Sequence, residues 1–152
     1  MNIILKVYAI LSDPNTESQI IILKSEKSME ILPVWIGIAE GNAIRLAMEG
    51  IIPPRPMTHD LLKNLLDQLG ITLTKVIIRD IRNNTFYASI YLEKENSEIV
   101  IDARPSDAIC LSMRFNSPIY AKEEVFKKSG STENLDVWLD KLRPKKSGEY
   151  DA

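Results

Sequence analysis

The chain has 152 residues, 45% hydrophobic and 26% charged, with a formal net charge of −2. That length suits one packed core, and the mildly acidic balance excludes a basic-coated polyanion binder, so any nucleic-acid contact must come from local Arg and Lys. The lone cysteine, Cys110, excludes an internal disulfide and a cysteine-rich zinc site, which suits a reducing cytoplasm, and no apolar run nears the roughly 20 residues that span a bilayer.

The apolar start has no small-residue cleavage site and meets Asp13-Pro14-Asn15 almost at once, so it reads as a first strand rather than a leader. Apolar, β-branched runs over 3–11, 18–23 and 29–36 form a predicted meander, broken by Asp13-Pro14-Asn15 and by Ser25-Glu26-Lys27-Ser28. A helix over 40–49 follows and ends before Gly50. Thr58 is the predicted N-cap of the next helix, with Asp60 in its first turn. Leu61, Leu62, Leu65, Leu66 and Leu69 give it an apolar stripe that stops at Gly70. Strands over 75–81, 86–93 and 98–103 repeat the scheme, with Asn83-Asn84 as a tight turn, and lead into a helix over 106–115. A short strand at Ile119-Tyr120 and helices near 123–128 and 134–142 complete the order, and the polar stretch 144–152 is expected to be a flexible tail. The helix stripes, Met48 and Met113 included, are expected in the core.

Lys6-Val7 and Asn15-Thr16 recur as Lys75-Val76 and Asn84-Thr85, each 69 positions on, while the run from Ala43 to Met48 matches that from Ala108 to Met113 at 65. The ordered series points to an internal repeat, about 3–50 and 73–115, with about four extra residues between 29 and 35. The expected fold is therefore α+β: a duplicated unit of a three-stranded meander followed by helices, in mixed or antiparallel sheets, as one domain over 1–143. Edge strands in so short a chain favour a homo-oligomer.

Two stretches nearly repeat each other: Arg55-Pro56-Met57-Thr58-His59-Asp60 and Arg104-Pro105-Ser106-Asp107. Each puts a guanidinium, a hydroxyl and a carboxylate at a helix N-terminus, where unpaired N–H groups and the dipole welcome phosphate. Elimination narrows the chemistry. One histidine gives no imidazole pair, Cys110 lies on an apolar helical stripe, and no Gly-rich phosphate loop is present. Glu40, Asp60, Asp102 and Asp107 remain, with His59, Arg45, Arg55 and Arg104, an oxygen-rich set that suits Mg²⁺ or Mn²⁺. Asp102 follows an apolar strand and is expected to be partly buried. Dipole complementation and Arg–carboxylate corners explain the same residues without catalysis.

Leu32-Pro33-Val34-Trp35-Ile36-Gly37 with Glu40, the block from Arg55 to Leu62, Asn84-Thr85-Phe86-Tyr87-Ala88, and the block from Ile101 to Ile109 resemble the signature blocks of the bifunctional nuclease domain family. The resemblance covers roughly 3–125, and the stretch from Trp138 to Pro144 is also similar, so the chain looks like a minimal, stand-alone bacterial-type member. It implies an α+β fold with a duplicated strand and helix unit, homo-oligomeric assembly, and cleavage of DNA and RNA. The resulting expectation is a cytoplasmic, metal-assisted phosphodiesterase acting on nucleic acid, with no membrane partner. Asp60, Asp107, His59 and Asp102 are its candidate catalytic residues. Arg55, Arg104, Thr58 and Ser106 would bind phosphate, and Asp60, Asp107 and Glu40 would hold Mg or Mn. The alternative is a non-catalytic oligomeric module that binds a small anion or a protein partner, with the Arg-Pro blocks as folding corners. A nucleic-acid binder without hydrolysis is a third possibility.

Overall fold

Aliphatic and β-branched runs that alternate with turn residues pair as antiparallel neighbours, and this chain does so twice. The computed structural model describes residues 1–129 and 134–142; the expected tail over 144–152 and the domain boundary at 143 lie outside them. Strands β1 (Asn2–Ser12), β2 (Gln19–Ser25) and β3 (Ile31–Ile36) form the first meander and lead into α1 (Ile38–Glu49). After α2 (Thr58–Gln68), strands β4 (Thr72–Arg82), β5 (Thr85–Lys94) and β6 (Ser97–Ala103) form the second and lead into α3 (Pro105–Phe115). Then come β7 (Ile119–Lys122), α4 (Glu123–Ser129) and α5 (Leu135–Leu142).

The strands join in one mixed sheet of order β3-β2-β1-β7-β4-β5-β6, so the fold is α+β. The short β7 is the seam: it runs antiparallel to β1 and parallel to β4, and so stitches the meanders together. Asn83 and Asn84 take positive φ of 50° and 62°, the left-handed pair a two-residue hairpin turn needs. Gly50 at φ 67° closes α1, and its N–H and that of Ile51 take up carbonyls of the last turn.

The inner sheet face buries Leu23, Val34, Val76, Ile78 and Ile90 against Ile44 of α1 and Ile109 of α3. On the outer face Ile20, Ile22 and Ile31 lie under Leu135, Trp138 and Leu142 of α5. There the Trp138 and Trp35 rings meet edge to face, centroids 6.0 Å apart. No helix among the described residues is long and apolar enough to cross a membrane.

Three expectations need correction. Met57, not Thr58, is the N-cap of α2; the Asp60 carboxylate accepts from the Met57 N–H at 2.9 Å, so the reach-back half of a capping box closes this end without a hydroxyl. The leucine stripe is not core: Leu61, Leu62, Leu65 and Leu69 are exposed and only Leu66 packs inward, because α2 docks through His59 and Leu66 instead. Met48 is likewise exposed, at the last turn of α1, while Met113 is partly buried against the core.

Candidate functional site

Three helices begin side by side. Strand β3 ends at Ile36 and Gly37 caps α1, which puts Glu40 in the first turn; a Cβ on Gly37 would run into the Glu40 carboxylate, which folds back over that end. Strand β6 ends at Ala103, and Arg104 stays extended (φ −67°, ψ 147°) to cap α3. Pro105 then starts the helix where its missing N–H costs nothing. His59 enters from the first turn of α2.

These ends line a cleft of about 260 Å³ that includes Glu40, Thr58, His59, Arg104 and Asp107. His59 Nε2 lies 2.9 Å from Asp107 Oδ1, and the imidazole is buried. Arg104 Nε donates to Asp107 Oδ2 at 2.9 Å, and its Nη2 reaches Glu40 Oε1 at 3.2 Å. Arg104 thus spans α1 and α3 while His59 spans α2 and α3. A second opening, of about 360 Å³, shares Arg104 with the cleft and is lined by Trp35, Gly37, Phe86 and Ser106 among others.

Charge follows this geometry. Burial pushes the Asp107 carboxyl up, but the hydrogen bonds and charges of Arg104 and His59 outweigh it, and Asp107 ends below its ordinary value. The Met57 N–H holds the Asp60 carboxyl down, burial opposes it, and Arg114 adds to the lowering. Burial pushes the Cys110 thiol up to about 12, so it stays protonated and inert.

The expected site residues do not all gather here. Asp60 turns away to Arg114, whose Nε donates to its Oδ1 at 2.8 Å. Asp102 is exposed rather than partly buried, because β6 is a sheet edge; it pairs with Arg79 Nη2 at 2.7 Å on the outer face. Arg55 is exposed, with no hydrogen bond or ion pair among the described residues, and Ser106 is buried beneath the second opening. Arg79 and Arg114 escaped sequence reasoning. Asp107, Cys110 and Arg114 recur at i, i+3 and i+7, a spacing that puts them on one helix face and was readable in advance. Arg114 also donates to the carbonyls of Cys110 and Ala43, so it ties α2 and α3 to α1.

Among the described residues no three or more His, Cys, Asp or Glu side chains group as metal ligands. Glu40 and Asp107, both on Arg104, are the two carboxylates facing the cleft.

Residues 21–134 match the family model described as the bifunctional nuclease domain, a span that takes in β3, all three helix starts and the cleft. The chain belongs to this family. An uncharacterized protein of Mycobacterium tuberculosis strain H37Rv is similar to this bifunctional nuclease domain at 36% identity over 125 residues, 82% of this chain and 74% of that protein. Bifunctional nuclease 1 of Oryza sativa subsp. japonica is 27% identical over 114 residues, 72% of this chain and 34% of its own length. Bifunctional nuclease 2 of Arabidopsis thaliana is 29% identical over 103 residues, 65% of this chain and 31% of its own. The domain thus spans about a third of these plant relatives.

Proposed function

We propose that this chain is a phosphodiesterase acting on DNA, RNA or both at the cleft where α1, α2 and α3 begin. The observation that carries the reading is the His59–Asp107 contact of 2.9 Å beside an arginine that bridges Asp107 and Glu40. Family membership supports it, since relatives in rice and Arabidopsis are bifunctional nucleases by name.

The steps follow from the geometry. Asp107 fixes the ring through Nε2, and Nδ1 has no partner among the described residues, so His59 can move a proton through Nδ1 to or from the reacting oxygen. Arg104 holds Asp107 and Glu40 through Nε and Nη2, which leaves Nη1 to donate to a phosphate oxygen, and three helix ends add positive potential where negative charge grows. Exposed Arg55 and Thr58 are available to a neighbouring phosphate. Mg²⁺ takes one or two carboxylates plus substrate phosphate oxygens, a donor set that Glu40 and Asp107 fit. Such an ion would neutralise phosphate charge and make bound water more acidic. Asp60 acts through Arg114, as a positioning residue, and the chain works as a cytoplasmic homo-oligomer.

One observation favours the non-catalytic module: Glu40, Asp60 and Asp107 each already have a cationic partner within the chain, as folding corners do. Incubating the protein with DNA and RNA of defined length, in Mn²⁺ and in chelator, separates the two. Cleavage lost in chelator and in Asp107→Asn supports the nuclease. A parent protein that cleaves neither polymer leaves the module, and chelator-resistant cleavage removes the ion.

A further inference from the structure

The two edges of the sheet are not alike. Strand β3 is guarded: it carries Pro33, which has no N–H to offer, and Ile31, Leu32 and Val34 are buried, Ile31 beneath α5. Strand β6 is bare. Residues 97–102 are all exposed, with Ile99 at 41%, Val100 at 51% and Ile101 at 46%, and the strand has neither Pro nor Lys to discourage pairing.

Its outward backbone groups can be identified. Glu95 and Asn96, with φ of 49° and 68°, form a two-residue hairpin turn, so the flanking Lys94 and Ser97 are a hydrogen-bonded pair. Alternation along this uninterrupted register turns the N–H and C=O of 97, 99, 101 and 103 toward β5. Those of Glu98, Val100 and Asp102 point outward, with no strand among the described residues to meet them.

We propose that β6 pairs antiparallel with β6 of a second copy of this chain about a twofold axis at Ile101, making one continuous fourteen-stranded sheet from two of seven strands. This gives the proposed oligomer a specific interface. A twofold axis normal to the sheet keeps each face continuous, so it must pass through a residue position, and side-chain charge decides which. An axis at Val100 sets Glu98 against Asp102 of the second copy twice, which repels. An axis at Ile99 offers no charge pair. An axis at Ile101 stacks Ile101 on its own mate, sets Ile99 beside Ala103, and places Glu98 opposite Arg104 of the second copy, twice. Arg104 is the residue that bridges Asp107 and Glu40, so assembly brings a carboxylate of one copy to the edge of the other copy's cleft.

The test reads mass and cross-linking, so its failure leaves the nuclease reading untouched. The parent should run in light scattering at twice the 17.2 kDa chain mass at micromolar concentration. Val100→Pro removes an outward N–H and spares the β5 ladder, so it should weaken the dimer at least about a hundredfold and return a folded monomer. Glu98→Lys should weaken it about tenfold. Ile101→Cys, at the close non-hydrogen-bonded pair, should oxidise to a covalent dimer faster than Ile99→Cys or Val100→Cys, while buried Cys110 gives none. A parent that stays at 17.2 kDa overturns the proposal. So does faster cross-linking at 99 or 100, or a dimer that survives Val100→Pro but dissolves on Leu65→Lys, which would place the contact on the leucine face of α2.

Discussion

His59 and Asp107 stand 48 positions apart and meet at 2.9 Å, which locks the start of α2 to the start of α3. Asp107→Asn keeps the shape of this junction and removes its charge. Cleavage is expected to fall at least about a hundredfold, the scale of losing both an oriented imidazole and a charged partner, with assembly unchanged. Single-turnover cleavage alongside light scattering checks this. A lower melting temperature with activity per folded molecule unchanged would instead mark Asp107 as structural.

His59→Ala is expected to act differently at different pH. If the imidazole moves a proton, the parent has a pH–rate profile with a limb that this variant lacks, at a rate roughly 10² to 10⁴ lower. If His59 only packs, the two profiles keep one shape.

Arg114 is nearly buried and serves Asp60, Cys110 and Ala43 together. Arg114→Ala removes the cationic partner of the Asp60 carboxylate and a donor to each of two carbonyls, a loss of roughly 3 kcal/mol. Thermal melting should drop by about 6 to 12 °C for a domain of this size. A change below about 2 °C would mean that water replaces the guanidinium.

Acid should weaken the fold through the same helix ends. Asp60 and Asp107 both lie below the ordinary 3.8 when folded, so their contribution is complete above that value and is lost as pH falls through the folded values. The melting temperature is expected to be level between about pH 7 and 5 and to fall below about 4. Asp60→Asn should shallow that fall in a differential scanning titration without flattening it, because Asp13 and Asp80 are lowered too.

Cys110, fully buried with its thiol pushed up to about 12, is expected to resist iodoacetamide for hours at pH 8 in the folded protein and to react fully in denaturant, as mass spectrometry would show. Rapid native labelling would mean that α3 opens readily.

Much was legible along the chain because the signals are local. Turn residues and alternating aliphatics set the six meander strands, and Gly50 and Gly70 marked helix ends because left-handed backbone favours glycine. Asp107 and His59 stood out because each sits at a helix start beside an Arg-Pro block. Local pattern also misled. The i, i+4 leucines of α2 have the periodicity of a buried face, but periodicity says that a face is apolar, not what covers it.

Sequence by itself therefore determined the elements, their order, the family and the residue types available for chemistry, all of which depend on neighbours within a few positions. Only the tertiary structure decided the partners. It gave Asp60 to Arg114 and Asp102 to Arg79, joined Arg104 to Glu40, and left β6 bare while β3 was covered. Those outcomes depend on how β7 joins the two meanders and sets α1 against α3, contacts between residues tens of positions apart that no local propensity encodes.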